Sequence, residues 1–590
     1  MEKTIAFCAL LITILIVNCK KKTENPPNVI IIMTDDQGYG DLACHGNPYI
    51  ETPNLDKLHD ESIRFENFHV FPSCSPTRAA LMTGKYPHRV GVWHTVRGRE
   101  RLATGEKTIA DIFSANGYAT GIFGKWHLGD NYPFRPVDRG FSESVIHKGG
   151  AVSQAADYWN NDRMNDTYYN NEKPQKYEGF SSDVFFDNAM EFIDKHKNER
   201  FFAYIPTSVP HGPINILPKW AEKYYEKGCP ENPADFYASI EQVDQKMGKL
   251  RNFLKEKDLE KNTILIFLID NGTSGGENVY NASMRGNKGS AYEGGHRVPC
   301  FFFWPDGNLT MNREITEVTS VMDLLPSLID ICNLKTGENM DFNGRSLKPL
   351  IFGEKEKFKN RSILAETQRV KQPIKWRNCV VINDKWRLIN GEKLYNMQED
   401  FSQKKDIADQ HPQVVERLRA DYDSIWTQIT RNDDLFHRPI IGTDQQPVTT
   451  LSAMSWHNFV TSQRQVRTAK MANGSWSIEL AEAGEYIFEL RRWPKESNLQ
   501  LGDSTPEVTS AENDIAFKRW GGKPGGKALD IYKAKIRVND REKEREVDVT
   551  NKKVTFNMQL NAGNAELKTW FYTTAGDTLG AYYVDVRLKK

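Results

Sequence analysis

Two uninterrupted apolar runs, VIIIMT at residues 29–34 and TILIFLI at 263–269, constrain this chain more than any other feature. Both are short and rich in β-branched residues, the pattern of a strand buried on both faces of a parallel sheet. A parallel sheet needs helical crossovers that cover its faces, so the runs imply an α/β fold. The first run ends in Asp35 and Asp36, the second in Asp270 and Asn271. In open α/β sheets ligands gather beyond the carboxyl ends of the strands, so the two pairs are expected to converge. Four oxygen-bearing side chains at one point suit a hard cation. Calcium, which accepts about six to eight oxygens in irregular geometry, fits better than magnesium, which keeps more of its water. Single Asp or Asn residues at strand ends are common turn formers. Adjacent pairs after two buried runs are a more specific signal.

Two further runs share the habit. Residues 118–123 emerge at Gly124, Lys125, Trp126 and His127, and residues 201–206 lead to Pro210, His211 and Gly212. A lone histidine or lysine is ordinarily structural or solvated, but four strand ends delivering ionisable groups point to one site. The segment FPSCSPTRAALMTGKYPHRVG at 71–91 places Cys74 where a helix is about to begin. Pro76 suits a first turn, and the pattern predicts a short helix over 77–82 closed by Gly84. Cys74 then faces free backbone amides, with Arg78 one turn on, an environment that draws anions and lowers a thiol pKa. A lone cysteine is otherwise a small buried hydrophobe or half a disulfide.

CSPTR followed by AALMTGKYP resembles the signature of the type I, formylglycine-dependent sulfatases, of the alkaline phosphatase superfamily. The likeness extends in the same order through TDDQGYGDLACHGNP at 34–48, TPNLDKLHDESIRFENFH at 52–69, GYATGIFGKWHLG at 117–129, VPHGP at 209–213, NKGSAYEGGHRVP at 287–299 and LYNMQEDFSQKKDIADQ at 394–410. It implies an alkaline-phosphatase-like fold, with a large mixed, mostly parallel sheet sandwiched by helices and a small α+β C-terminal subdomain. It also implies metal ligation by Asp35, Asp36, Asp270, Asn271 and Cys74, the last oxidised to 3-oxoalanine by a formylglycine-generating maturation enzyme. Arg78, His127 and His211 would serve catalysis, and Lys125, Lys288 and His211 would hold the sulfate. The implied reaction passes through a formylglycine hydrate and a sulfo-enzyme intermediate. Arg285, Glu293 and Arg297 share a block with Lys288 but are read as shaping their own loop. His45, His88 and His94 have no matching motif role, and packing histidines are common.

The stripe Phe236, Ile240, Val243, Met247, Leu250 and Leu254 recurs at helical spacing and reads as core. Lys plus Arg and Asp plus Glu both total 78 over 590 residues, so no global field favours nucleic acid or an anionic membrane. The cysteines show neither zinc spacing nor a dense disulfide pattern. Residues 1–19 carry an early lysine and a short apolar run, an export signal. Cys19 resembles the lipidated cysteine of a bacterial lipoprotein, although Asn18 departs from the small residue usual before it. The expected location is therefore the periplasm or cell surface, with lipid attachment to the outer membrane as one alternative and simple cleavage as the other.

Residues 20–27 read as a linker, 28–345 as the catalytic domain and 346–435 as its subdomain. Residues 436–590 show short alternating runs at 476–480, 486–491, 531–538, 554–560 and 582–588, an accessory β-sandwich. Trp456, Trp493 and Trp520 are candidate sugar platforms there, although sandwich tryptophans are more often core. The first functional reading is a sulfatase acting on a sulfated carbohydrate. The alternatives are a phosphonate monoester or phosphodiester hydrolase of the same superfamily and a non-catalytic glycan-binding lipoprotein.

Overall fold

A computed structural model describes residues 26–337, 340–354, 358, 361–430, 436–456, 460–508, 516–518 and 523–590. The leader, Cys19, the linker up to residue 25 and Trp520 lie outside the described residues. The two apolar runs are adjacent strands inside a ten-stranded mixed sheet. Asn28–Asp35 pairs in parallel with Thr263–Ile269, in register from Asn28 opposite Thr263 to Thr34 opposite Ile269. On its other side it runs parallel to Phe201–Pro210, and Ala119–Lys125 lies parallel beyond that. Antiparallel partners close both flanks, Cys300–Phe303 on one and Thr167–Asn170 on the other. Ile30, Ile31 and Ile32 are wholly buried, and each such side chain contributes about 1.5–3 kcal/mol by leaving water.

Two helix groups cover the sheet. Ser181–Lys195 and Glu231–Glu256 pack on each other and on Phe201–Pro210, while Cys74–Thr83 packs with Ile109–Ala115 and Leu324–Ile331. The core stripe from Phe236 to Leu254 is buried throughout. The helix expected over 77–82 begins earlier. Ser73 is the extended N-cap, Cys74 the first helical residue, and Pro76 sits in the first turn, where no intrahelical N–H is needed. Its end is as the sequence predicts, at Gly84 with φ 67° and its N–H bonded to Ala80 O.

Beyond the sheet, Ile363–Glu366, Cys379–Ile382, Trp386–Ile389 and Lys393–Asn396 form an antiparallel four-stranded sheet accompanied by the helix Pro412–Ile429. From residue 440 on, a six-stranded sheet and a four-stranded sheet, both antiparallel-rich, enclose a separate core containing Trp456, Trp476 and Trp493. Trp456 and Trp493 are therefore packing residues rather than a sugar platform, their rings being 0% and 2% exposed. Two strands of this region lie outside the runs read from the sequence. Arg541–Glu546 is an exposed, wholly charged edge, and Gly563–Thr573 turns Thr569 and Thr573 inward among apolar residues. The sandwich is joined to the catalytic region. Ala516–Lys518 pairs with Ile214–Ile216, and the N–H of Ala155 donates to Thr461 O at 2.9 Å.

Candidate active site

The in-register pairing carries Asp35 beside Asp270 and Asp36 beside Asn271. The N–H of Asp36 donates to Asp270 Oδ1 at 3.1 Å, and Asn271 Nδ2 donates to Asp36 Oδ1 at 3.0 Å. All four side chains are buried, Asp36 in the left-handed backbone region at φ 69°. Cations from three other segments close on them. Lys125 Nζ donates to Asp35 Oδ2 at 2.8 Å, and Lys288 Nζ donates to both oxygens of Asp36 at 2.5 and 2.6 Å. Arg78 donates to Asp270 Oδ2 through Nη2 at 2.7 Å and Nε at 3.2 Å, and its Nη1 donates to Lys125 O at 2.9 Å. Ligand atoms of Asp35, Cys74 and Asp270 lie within 4.8 Å of one another. The structure thus gathers every residue that the sequence placed in the site.

The electrostatics follow from burial. Desolvation raises the Asp270 carboxyl to about 6, with Asp35 adding to the rise and Arg78 opposing it. Asp36 would be raised likewise, but His211, Lys288 and Lys125 hold it well below the usual carboxylate range. Burial lowers His211 to about 3 against the pull of Asp36, and lowers His127 far below its ordinary value with help from Lys125.

The histidines are fixed by backbone carbonyls. His211 Nδ1 lies 2.6 Å from Gly212 O and donates to it, which turns Nε2 toward Asp36 Oδ2 at 3.6 Å. His127 Nε2 donates to Thr95 O at 2.7 Å, leaving Nδ1 buried and without a hydrogen-bond partner. Gly150 makes room for that ring, since a Cβ there would lie 2.2 Å from His127 Cε1. Gly124, at φ 137°, lets the strand carrying Lys125 approach Pro206, whose carbonyl oxygen would be 1.9 Å from a Cβ.

The donor set fits a divalent metal. Asp35 Oδ1 and Asn271 Oδ1 are buried oxygens without a hydrogen-bond partner, in a cluster of three carboxylates and one amide. Hard oxygen donors left bare at one point are what calcium or magnesium requires.

Above the cluster opens a cleft of about 600 Å³, lined by Cys74, His127, His211 and Lys288 and walled by loops. His94, Arg97, Gln154, Arg369 and Thr461 also line it. Arg369 and Thr461 carry no signal in the sequence, because they enter from the small subdomain and the sandwich, far along the chain. His88 instead lies against Glu366 at 3.3 Å, and His45 stacks on Tyr39 with ring centroids 3.8 Å apart. Glu293 and Arg297 hold their own loop together, as expected, with Arg387 as a third partner.

A parallel sheet that aims acids, cations and a helix-start cysteine at one point defines a hydrolase of oxyanion esters. Residues 27–334 match the Sulfatase family, and the chain belongs to it. It is a sulfuric ester hydrolase of the alkaline-phosphatase-like superfamily, whose sulfatases generally use a formylglycine and a divalent metal. It is 29% identical over 382 residues to arylsulfatase G of Mus musculus, covering 57% of this chain and 71% of that one. With arylsulfatase A of Homo sapiens it shares 31% identity over 365 residues, 56% of this chain and 68% of that one. The crystal structure of Ps i-CgsB in complex with k-i-k-neocarrahexaose superposes with a TM-score of 0.63 at 26% identity, over 70% of this chain and 95% of that chain.

Proposed function

We propose that the protein is an exported sulfatase that removes sulfate esters from a sulfated carbohydrate, with Cys74 matured to formylglycine and calcium held by Asp35, Asp36, Asp270 and Asn271. The observation that carries this reading is the pair of bare buried oxygens, Asp35 Oδ1 and Asn271 Oδ1, in the cluster beneath the cleft that Asp36 and Cys74 line. The solved likeness bound to a neocarrahexaose supports a carbohydrate substrate. The leader at residues 1–19 supports export to the periplasm or cell surface, and incorporation of labelled fatty acid at Cys19 distinguishes a lipid anchor from plain cleavage.

Formylglycine at position 74 would supply a hydrated aldehyde as the nucleophile, and a calcium held by Asp35, Asp36, Asp270 and Asn271 would supply a Lewis acid for the sulfate oxygens. The remaining work falls to this chain's side chains. Lys125 and Lys288 hold the sulfate oxygens in place. Arg78, a rigid fork already bonded to Asp270, positions the residue at 74. His127 is the base. Its Nε2–H is committed to Thr95 O, so the bare Nδ1 is the atom that takes a proton. Lys288, held against Asp36, is the group that gives a proton to the leaving alcohol, and His211, its Nδ1–H committed to Gly212 O, flanks it with Nε2 turned to the same carboxylate.

The test is a parallel assay of the purified protein on an aryl sulfate and an aryl phosphonate, with the mass of the tryptic peptide 65–78 read on the same sample. Preferred sulfate turnover with an aldehyde at position 74 is expected. An intact thiol in fully active protein, or preferred phosphonate turnover, would overturn the reading.

A further inference from the structure

Away from the cleft, the fold brings one thiol and two imidazoles together. Cys44 and His45 end the short 3-10 turn Ala43–His45, and His59 lies in the last turn of the helix Pro53–Glu61 that packs against it. All three residues are half-buried, and one ligand atom from each lies within 4.8 Å of the other two. The cysteine is in no disulfide, and none of the three lines the sulfate cleft.

Each ring has one nitrogen already committed. His45 Nδ1 donates to Tyr39 O at 2.7 Å, and His59 Nδ1 donates to Asp60 Oδ1 at 2.8 Å. The lone pair of each ring is therefore on Nε2. In His45 that atom is buried and without a hydrogen-bond partner, whereas buried polar atoms ordinarily have one. A carbonyl or carboxylate on the far nitrogen is the arrangement that fixes the tautomer and orientation of metal-ligating histidines and makes the coordinating nitrogen more basic. The rings stand edge-on to Phe301, with centroids 6.1 Å from it for His45 and 5.4 Å for His59. The turn bearing the thiol is pinned as well. Its Cys44 N–H donates at 3.0 Å to Asp56 Oδ1, which also accepts from Thr52 Oγ1 at 2.9 Å. Asp56 and Asp60 place negative charge beside the three donors.

One sulfur and two imidazoles suit a borderline-soft ion, whereas calcium and magnesium take oxygen. Zinc bonds of about 2.0–2.3 Å set tetrahedral donors roughly 3.3–3.7 Å apart, so these atoms close on an ion by moving at most about 1.5 Å. We propose that Cys44, His45 and His59 form a zinc site, distinct from the oxygen-lined centre, through Cys44 Sγ and the two Nε2 atoms, with water in the fourth position. The ion clips the turn 43–45 to the helix 53–61, and with it the segment that follows Asp35 and Asp36. The site stands whichever ester the cleft takes.

The experiment uses the purified full-length protein, stripped with a chelator and kept in excess calcium. It is titrated with zinc against a chromophoric chelator, and with cobalt(II) as a spectroscopic stand-in. One zinc per chain is expected, with a thiolate-to-cobalt charge-transfer band that Cys44→Ser abolishes and Cys74→Ser keeps. Asp60→Ala, an exposed change that removes only the partner of His59, should weaken zinc about 10- to 100-fold, and Cys44→Ser and His59→Gln should weaken it further. Zinc should raise the melting temperature of the parent and of Cys74→Ser but not that of Cys44→Ser. Less than one zinc per chain in excess calcium would overturn the site. So would a cobalt band that survives Cys44→Ser or is lost in Cys74→Ser, or zinc affinity equal to the parent's in Cys44→Ser, His59→Gln and Asp60→Ala.

Discussion

The buried clusters of acids and cations in this molecule differ in completeness. Around Asp323, Arg361 donates to both carboxylate oxygens and the N–H groups of Ser320 and Arg345 supply one more bond to each. Glu293 is likewise filled, by Arg387 on Oε1 and Arg297 on Oε2. Around Asp35 and Asn271, an oxygen of each stays bare although both residues are wholly buried. A buried oxygen without a partner costs about 1–3 kcal/mol; the Asp323 and Glu293 oxygens are closed by their own partners, and those of Asp35 and Asn271 are open to a ligand. Completeness of the hydrogen bonds on the carboxylate oxygens, rather than the presence of charge, separates the Asp323 and Glu293 clusters from the site.

The comparison can be broken by substitution. The largest effect is expected at Cys74→Ser, which should lower kcat on an aryl sulfate at least about 10³-fold with an unchanged melting temperature. Sustained turnover by this variant would remove position 74 from the chemistry. Asp35→Asn follows, with a loss of at least about 10²-fold that excess calcium partly restores; a calcium-insensitive defect would argue against ligation. Gly150→Ala pushes a Cβ into the His127 ring, and a displacement of this size costs about 10²-fold or less in kcat. Full activity there would show that His127 is not held where the base must be. The smallest effect on turnover belongs to Arg361→Met, which leaves Asp323 buried and unpaired. It should destabilise by about 3–5 kcal/mol in denaturant unfolding while kcat per folded molecule stays near the parent. A large kcat loss in the soluble fraction would mean that the closed cluster is not merely structural.

Much of the site was legible because its residues follow buried strands directly. The runs before Asp35 and Asp270 declare a parallel sheet by composition, and register alone then brings Asp36 and Asn271 together. The helix at Cys74 was legible from Pro76 and Gly84, though its first turn was not, since a first turn makes few bonds that sequence could signal. Arg369 and Thr461 could not be read as cleft residues, because only tertiary closure of the subdomain and sandwich brings them to the cleft. In the sandwich, Gly563–Thr573 was readable from the alternation of Ala565, Leu567 and Phe571 and was missed, whereas Arg541–Glu546 has no apolar side chain at all. Periodicity reports a strand only where one face is apolar.

The central claim is that the incomplete cluster holds a divalent ion and the complete one does not. Metal content by plasma mass spectrometry of the purified protein, of Asp35→Ala and of Asp323→Asn, each dialysed against calcium, tests it most directly. The account predicts one calcium per chain in the parent and in Asp323→Asn, and none in Asp35→Ala. Calcium retained in full by Asp35→Ala, or absent from the parent, would contradict it.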